Sequence, residues 1–185
     1  MLAPESVNLV ELVPEDFSSD DLGQIVRVPK NRHLVCCLWT PDTALPADQQ
    51  DPVDQARIWS DLDQLDHSAD KNTGVAAVTH FIKLAHLAPP LHQHVDKKKL
   101  HDIHSYRSTV TGKTEKIRRF RKGDIRVLHY ACDDGRIILI NVVAKRSDTL
   151  TRAQKNEVER RLDNFLSASL NSNIKWTTRP EITPI

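Results

Sequence analysis

Between residues 113 and 165 the hydrophobic and polar positions follow two periods in succession. Three runs with strand character, at 116–120, 125–131 and 137–144, are separated by two short polar breaks, one holding Gly123 and the other Asp133-Asp134-Gly135. Glycine supplies the positive φ that tight turns require, so these breaks predict hairpins and the three runs predict an antiparallel meander. The period then lengthens: Val158, Leu162, Phe165 and Leu166 recur at helical spacing over 151–168, with Asp148 or Thr151 as the cap.

Upstream, residues 33–40 (HLVCCLWT) are nearly all apolar and predict a strand buried on both faces. Asp51 as cap and Pro52 at the first helical position open a helix carried by Ala56, Ile58, Trp59 and Leu62 to about residue 66. A second helix is expected over 71–87, ended by Pro89-Pro90, and a short helix around 96–101. Residues 1–32 carry Pro4, Pro14, Pro29 and the acids Glu15, Asp16, Asp20 and Asp21, and are expected to form an acidic extension. Residues 33–168 form the domain, and 169–185 a tail that Trp176 would anchor. The class expected is α+β: a twisted antiparallel sheet of one early strand plus a three-stranded meander, with two N-terminal helices and a C-terminal helix on one face.

Composition adds place rather than fold. No apolar run of about 18 residues suggests a membrane span, and the first residues do not read as a signal peptide. Cys36, Cys37 and Cys132, odd in number and without metal-type spacing, fit reduced thiols in a cytoplasmic protein. The net charge of +1 conceals a split: residues 1–70 carry −10, 71–112 carry +4 and 113–161 carry +7. Local fields decide polyanion binding, so the basic segment is a candidate nucleic-acid surface.

Four stretches of that segment resemble the RelE/ParE toxin superfamily, especially its HigB-like, phage-derived branch. They are Lys97-Lys98-Lys99-Leu100 before the sheet, Lys116-Ile117-Arg118-Arg119 on the first meander strand, Asp124-Ile125-Arg126-Val127-Leu128-His129-Tyr130 on the next, and the last strand ending in Ala144-Lys145-Arg146. The resemblance implies a toxin of a toxin–antitoxin pair, a metal-independent endoribonuclease that cuts mRNA, free or on the ribosome, and is held by a cognate antitoxin. Such chemistry moves a ribose 2′-OH onto the adjacent phosphate. It needs deprotonation, stabilisation of the phosphorane charge and protonation of the leaving 5′-oxygen.

By the resemblance, Arg126 and Arg146 are the phosphate-stabilising arginines and Lys116 and Arg118 the basic pair on the preceding strand. Lys97, Lys98, Lys99, Arg119, Lys145 and Arg152 extend the RNA contact. The family's tyrosine near the start of the last helix is replaced by Arg152, with Thr151 beside it. A histidine is then the natural acid–base group: His104 is the first choice and His101 the second, both placed before the sheet. His129 lies on the opposite face of the Arg126 strand. Two other classes fit the same residues: a ParE-like toxin that binds DNA gyrase without cutting RNA, and a metal-binding or interaction module built on His92, His94, His101 and His104.

Overall fold

A computed structural model describes residues 6–17, 26–46, 49–87, 89–145, 148–177, 179 and 182–184. Within them the chain runs β1 (Val7–Glu11), β2 (Val26–Val28), β3 (Leu34–Trp39), α1 (Arg57–Asp63), α2 (Ser68–Ala85), β4 (Leu100–Arg107), β5 (Thr114–Lys122), β6 (Ile125–Ala131), β7 (Arg136–Ala144), α3 (Arg152–Leu170), β8 (Ile174–Thr177) and β9 (Ile182–Pro184). No helix among the described residues is long and apolar enough to cross a membrane.

The class is α+β, and the meander forms where the turn signals put it, with β5, β6 and β7 as successive antiparallel neighbours. Gly123, at φ 57°, and Asp124 make a two-residue turn that sets Lys122 opposite Ile125 and Arg121 opposite Arg126. The sheet as a whole is mixed, not antiparallel, with seven strands in the order β4-β5-β6-β7-β3-β1-β8. β3 lies parallel to β7, with Leu34 opposite Arg136, and β8 parallel to β1. Both parallel pairs join segments a hundred or more residues apart, and no local pattern announces such a partner.

The helices occupy two faces rather than one. α1 and α2 bury Ile58, Leu62, Val78 and Phe81 against Phe120, Ile125, Val127 and Leu139. α3 buries Val158, Leu162 and Phe165 against Ile117, Leu128, Ile138 and Ile140 from the other side. Alternation along β6 and β7 deals successive apolar residues to the two cores, which explains why β7 reads as a continuous apolar run.

Three local expectations change. No helix forms around 96–101: Asp96 accepts from Lys98 N in a turn, and the chain enters β4 at Leu100. The α1 helix starts at Arg57, because Asp51 is used by a preceding turn, accepting from Val53 N at 2.8 Å. The chain ends are also built into the domain. Leu9, Val10, Leu12 and Val13 are fully buried, Asp16 pairs with Arg179 at 2.7 Å, and Glu11 pairs with Arg32. The tail is held by β8, β9 and Arg179, while Trp176 stays 48% exposed under the Arg136 guanidinium.

α3 is fixed at both levels. Thr151 and Gln154 form a reciprocal capping box at its start. Farther along, the buried Arg161 donates to both oxygens of Asp61 at 2.7 Å, to Glu157 at 2.6 Å and to the Ile140 carbonyl at 2.7 Å. That carbonyl lies beyond the last β3 partner of β7, Leu139. There the sheet parts, and α1 and α3 meet through the ion pair.

Candidate nucleic-acid interface

The register of β4, β5 and β6 decides which basic residues share a face. Ile117 and Leu128 belong to the α3-side core, and Arg119 stands opposite Leu128 as Arg121 stands opposite Arg126. Period-two alternation therefore places Arg119, Arg121 and Arg126 together on the α3 side, beside the start of that helix. Lys145, at the end of β7, lies at the same corner and pairs with Asp148 at 3.1 Å.

The three arginines crowd one another. Burial, then the charge of Arg121, lowers the Arg119 pKa; burial, then the charge of Arg119, lowers that of Arg126. Asp148 opposes both shifts. Its own pKa is lowered by its hydrogen bond with Lys145, then by that lysine's charge. Arg126 is 1% exposed, and Arg119 Nε is out of water with no hydrogen-bond acceptor among the described residues. An anion entering this corner would relieve repulsion and accept hydrogen bonds at once.

Lys116 and Arg118 do not join this group. They lie on the α1/α2 side, where both pair with Asp102, at 3.4 and 3.2 Å. The expected partnership of Lys116 and Arg118 with Arg126 is therefore corrected: their positions in β5 differ by one residue from the face Arg126 uses. Arg119 takes that place together with Arg121, which belongs to β5 and not to the polar break around Gly123. The signal that could have found Arg121 was the turn itself, since a two-residue Gly123-Asp124 hairpin fixes 121 opposite 126. Arg146 lies outside the described residues. Arg152 is the exposed first residue of α3. Lys97, Lys98 and Lys99 form an exposed turn held against β5 by the bond from Arg121 N to Lys99 O, 2.8 Å.

His101 and His104 are on β4, inside the sheet rather than before it. His104 Nε2 lies 2.5 Å from Glu159 Oε1 on α3, and its ring stacks with Tyr106, whose hydroxyl donates to Asp163 at 2.8 Å. It stands opposite Ile117, four residues along β5 from Arg121 and two strands from Arg126. That is a separation of roughly 17 Å, too far to serve one phosphate. His101 stands directly opposite Arg119 and on its face, so the histidine at the arginine corner is His101. His129 packs on Phe81 at 4.6 Å on the other side of the sheet, as its spacing from Arg126 predicted.

The four histidines of the metal alternative are dispersed, with His92 and His94 at a turn near Leu91 and the other two on β4. No group of three or more His, Cys, Asp or Glu among the described residues is placed to hold a metal ion. Two clefts, of about 350 and 740 Å³, flank Arg161 instead of the arginine corner. The two cations they share are already committed, Arg161 to Asp61 and Glu157 and Arg57 to Glu157.

No family model, curated protein or solved structure matches this chain.

Proposed function

We propose that the protein is an RNA-cleaving toxin of the RelE/HigB kind, an endoribonuclease that acts on mRNA and is restrained by an antitoxin partner. The observation that carries the reading is the convergence of Arg119, Arg121 and Arg126 on one face of β5 and β6. In this reading Arg119 and Arg121 grip the scissile phosphate, and Arg126 supplies positive charge beneath it. His101 takes the proton of the 2′-OH. The 2′-oxygen bonds to phosphorus, the bond from phosphorus to the 5′-oxygen breaks, and the leaving oxygen is protonated. The products are a 2′,3′-cyclic phosphate and a 5′-hydroxyl, and guanidinium hydrogen bonds strengthen as the phosphorane gains charge.

The test is cleavage of end-labelled RNA by the purified chain, alone and with ribosomes, with cleavage ends mapped after expression in bacteria. Removing one donor to a developing charge typically costs about a hundredfold to a thousandfold. Arg126→Ala and Arg119→Ala should each lose activity on that scale, and Lys116→Ala/Arg118→Ala far less. Intact transcripts accompanied by DNA breaks would replace the reading with a gyrase-binding toxin. Equal cleavage by the arginine variants and the wild type would also refute it.

A further inference from the structure

The basic corner does not stop at the α3 side. Arg121 and Lys122 are consecutive in β5, so they point to opposite faces where the sheet ends at the Gly123-Asp124 turn. Lys122 Nζ donates to Ala76 O of α2 at 3.0 Å, and Gly123 tucks against Thr73 of the same helix. Beyond it on α2 come the exposed His80 and Lys83, with Lys99 arriving from the turn before β4. Lys83 lies three residues along α2 from His80 and Lys122 is held at Ala76, four residues before it, so these groups share one side of the helix, and the charges of Lys122, Lys99 and Lys83 all act on His80. Among the described residues Lys83, Lys99 and Lys122 make no ion pair with a carboxylate, in contrast to Lys116 and Arg118. His80 meets the buried Phe120 edge-on at 5.5 Å, leaving a ring supported from behind and open in front.

We infer that Lys83, Lys99 and Lys122, with the His80 ring, form a second phosphate-binding subsite on the α2 side. A single-stranded RNA would reach it by passing over the β5–β6 turn from the arginine corner. The partner must be single-stranded because the two subsites lie on opposite faces of one sheet. A chain of flexible phosphodiesters can round that edge, whereas a stiff duplex lies along one face. The lysines take phosphates as point charges, and the imidazole offers a stacking surface to one base. The inference rests on the RNA reading above for its ligand, but it concerns binding, not the chemistry.

The test uses the full chain and 2′-O-methyl oligonucleotides, which cannot be cut, so that binding is read whether or not the protein is a nuclease. Fluorescence anisotropy compares wild type with Lys83→Ala/Lys99→Ala, both exposed positions, after matching melting temperatures confirm folding. For an unpaired dodecanucleotide, the slope of log K against log salt should fall by about 1.4, since each phosphate contact on a single strand contributes about 0.7. A trinucleotide, too short to span both faces, should bind the two proteins alike, and the duplex of the dodecanucleotide should compete poorly. An unchanged slope for the dodecanucleotide, or a duplex that competes as well as the single strand, overturns the subsite. Absence of RNA cleavage by a wild type that still shows the slope difference would count against the nuclease reading alone.

Discussion

Arg161 offers the sharpest test of how the domain is assembled. Arg161 and Asp61 are 6% and 3% exposed, and their ion pair joins α3 to α1 where β3 and β7 part. Burial works against the charge on Arg161, but the hydrogen bonds and charges of Asp61 and Glu157 outweigh it and raise its pKa. In Arg161→Met, Asp61 loses both hydrogen bonds and its counter-charge while staying enclosed, and the Ile140 carbonyl loses its donor. Breaking a buried pair on one side costs about 3–5 kcal/mol. For a domain of this size each kcal/mol moves the melting temperature by about 2–4 °C, so a fall of roughly 6–20 °C is expected. Glu157 keeps Arg160 at 2.8 Å, so its charge adds little to the loss. The companion Asp61→Leu/Arg161→Met removes both charges and should recover the part of the loss due to the stranded charge, leaving about 1–3 kcal/mol for the Ile140 carbonyl that still lacks its donor. Urea unfolding of wild type, Arg161→Met, Asp61→Leu and the double variant gives the coupling directly. If the single substitution cost less than about 1 kcal/mol, or the double cost the sum of the singles, the pair would not be the clasp between α1 and α3.

The remaining predictions concern the α1/α2 side of the sheet. Burial lowers the pKa of His129 to about 3, and that of His86 to about 4, while the unfolded chain titrates near 6.5. Between these values the unfolded state binds the extra protons, so stability is full above pH 6.5 and falls as the pH drops; from pH 7 to 5 each histidine should cost about 2 kcal/mol. Thermal melts of His129→Gln should show roughly half the wild-type acid sensitivity, and an unchanged pH profile would refute the assignment. Gly74→Ala should destabilise by about 1 kcal/mol although alanine favours helix, because a Cβ there would lie 2.6 Å from Leu62 Cδ2 and 3.0 Å from Leu65 Cδ1; a gain in melting temperature would contradict the close α1–α2 packing.

What the chain discloses without coordinates follows the range of its interactions. The meander and α3 were readable because their signals are local: Gly123 and the Asp134-Gly135 turn, period-two runs, and Thr151 followed by a periodic apolar face. The same locality explains the misses. β4 reads LHDIHSYR, whose histidines and charges mask an edge strand with only partial burial. β1, β8 and β9 are three to five residues long and acquire strand character from partners far along the chain. Glycine weakens a helix interior, and the reason for Gly74 in α2, the approach of Leu62 and Leu65, is tertiary. The site divided along the same line. That basic residues on β5 and β6 would converge was legible; which of them do so depended on strand parity, and one residue of register moved the assignment from Lys116 and Arg118 to Arg119 and Arg121.

The position of α3 gives that shift a functional consequence. Most of the sheet face that carries Arg126 is covered by Val158, Leu162 and Phe165, and the polar contacts of His104, Tyr106 and Ser108 with Glu159 and Asp163 close the β4 side of the same helix. A polyanion cannot lie along the length of this face as it could on an uncovered sheet. A polyanion bound as proposed would meet the protein at the end, where α3 begins and the β5–β6 turn projects, and where cations are present on both faces while the nearby Asp148 is already paired with Lys145. Of the described acids in the N-terminal segment, Glu11 and Asp16 are taken by Arg32 and Arg179, and Asp20 and Asp21 lie outside the described residues. The geometry therefore favours a ligand thin and flexible enough to be gripped at a corner, and it makes His101, next to Arg119, a stronger acid–base candidate than His104, which is enclosed against α3.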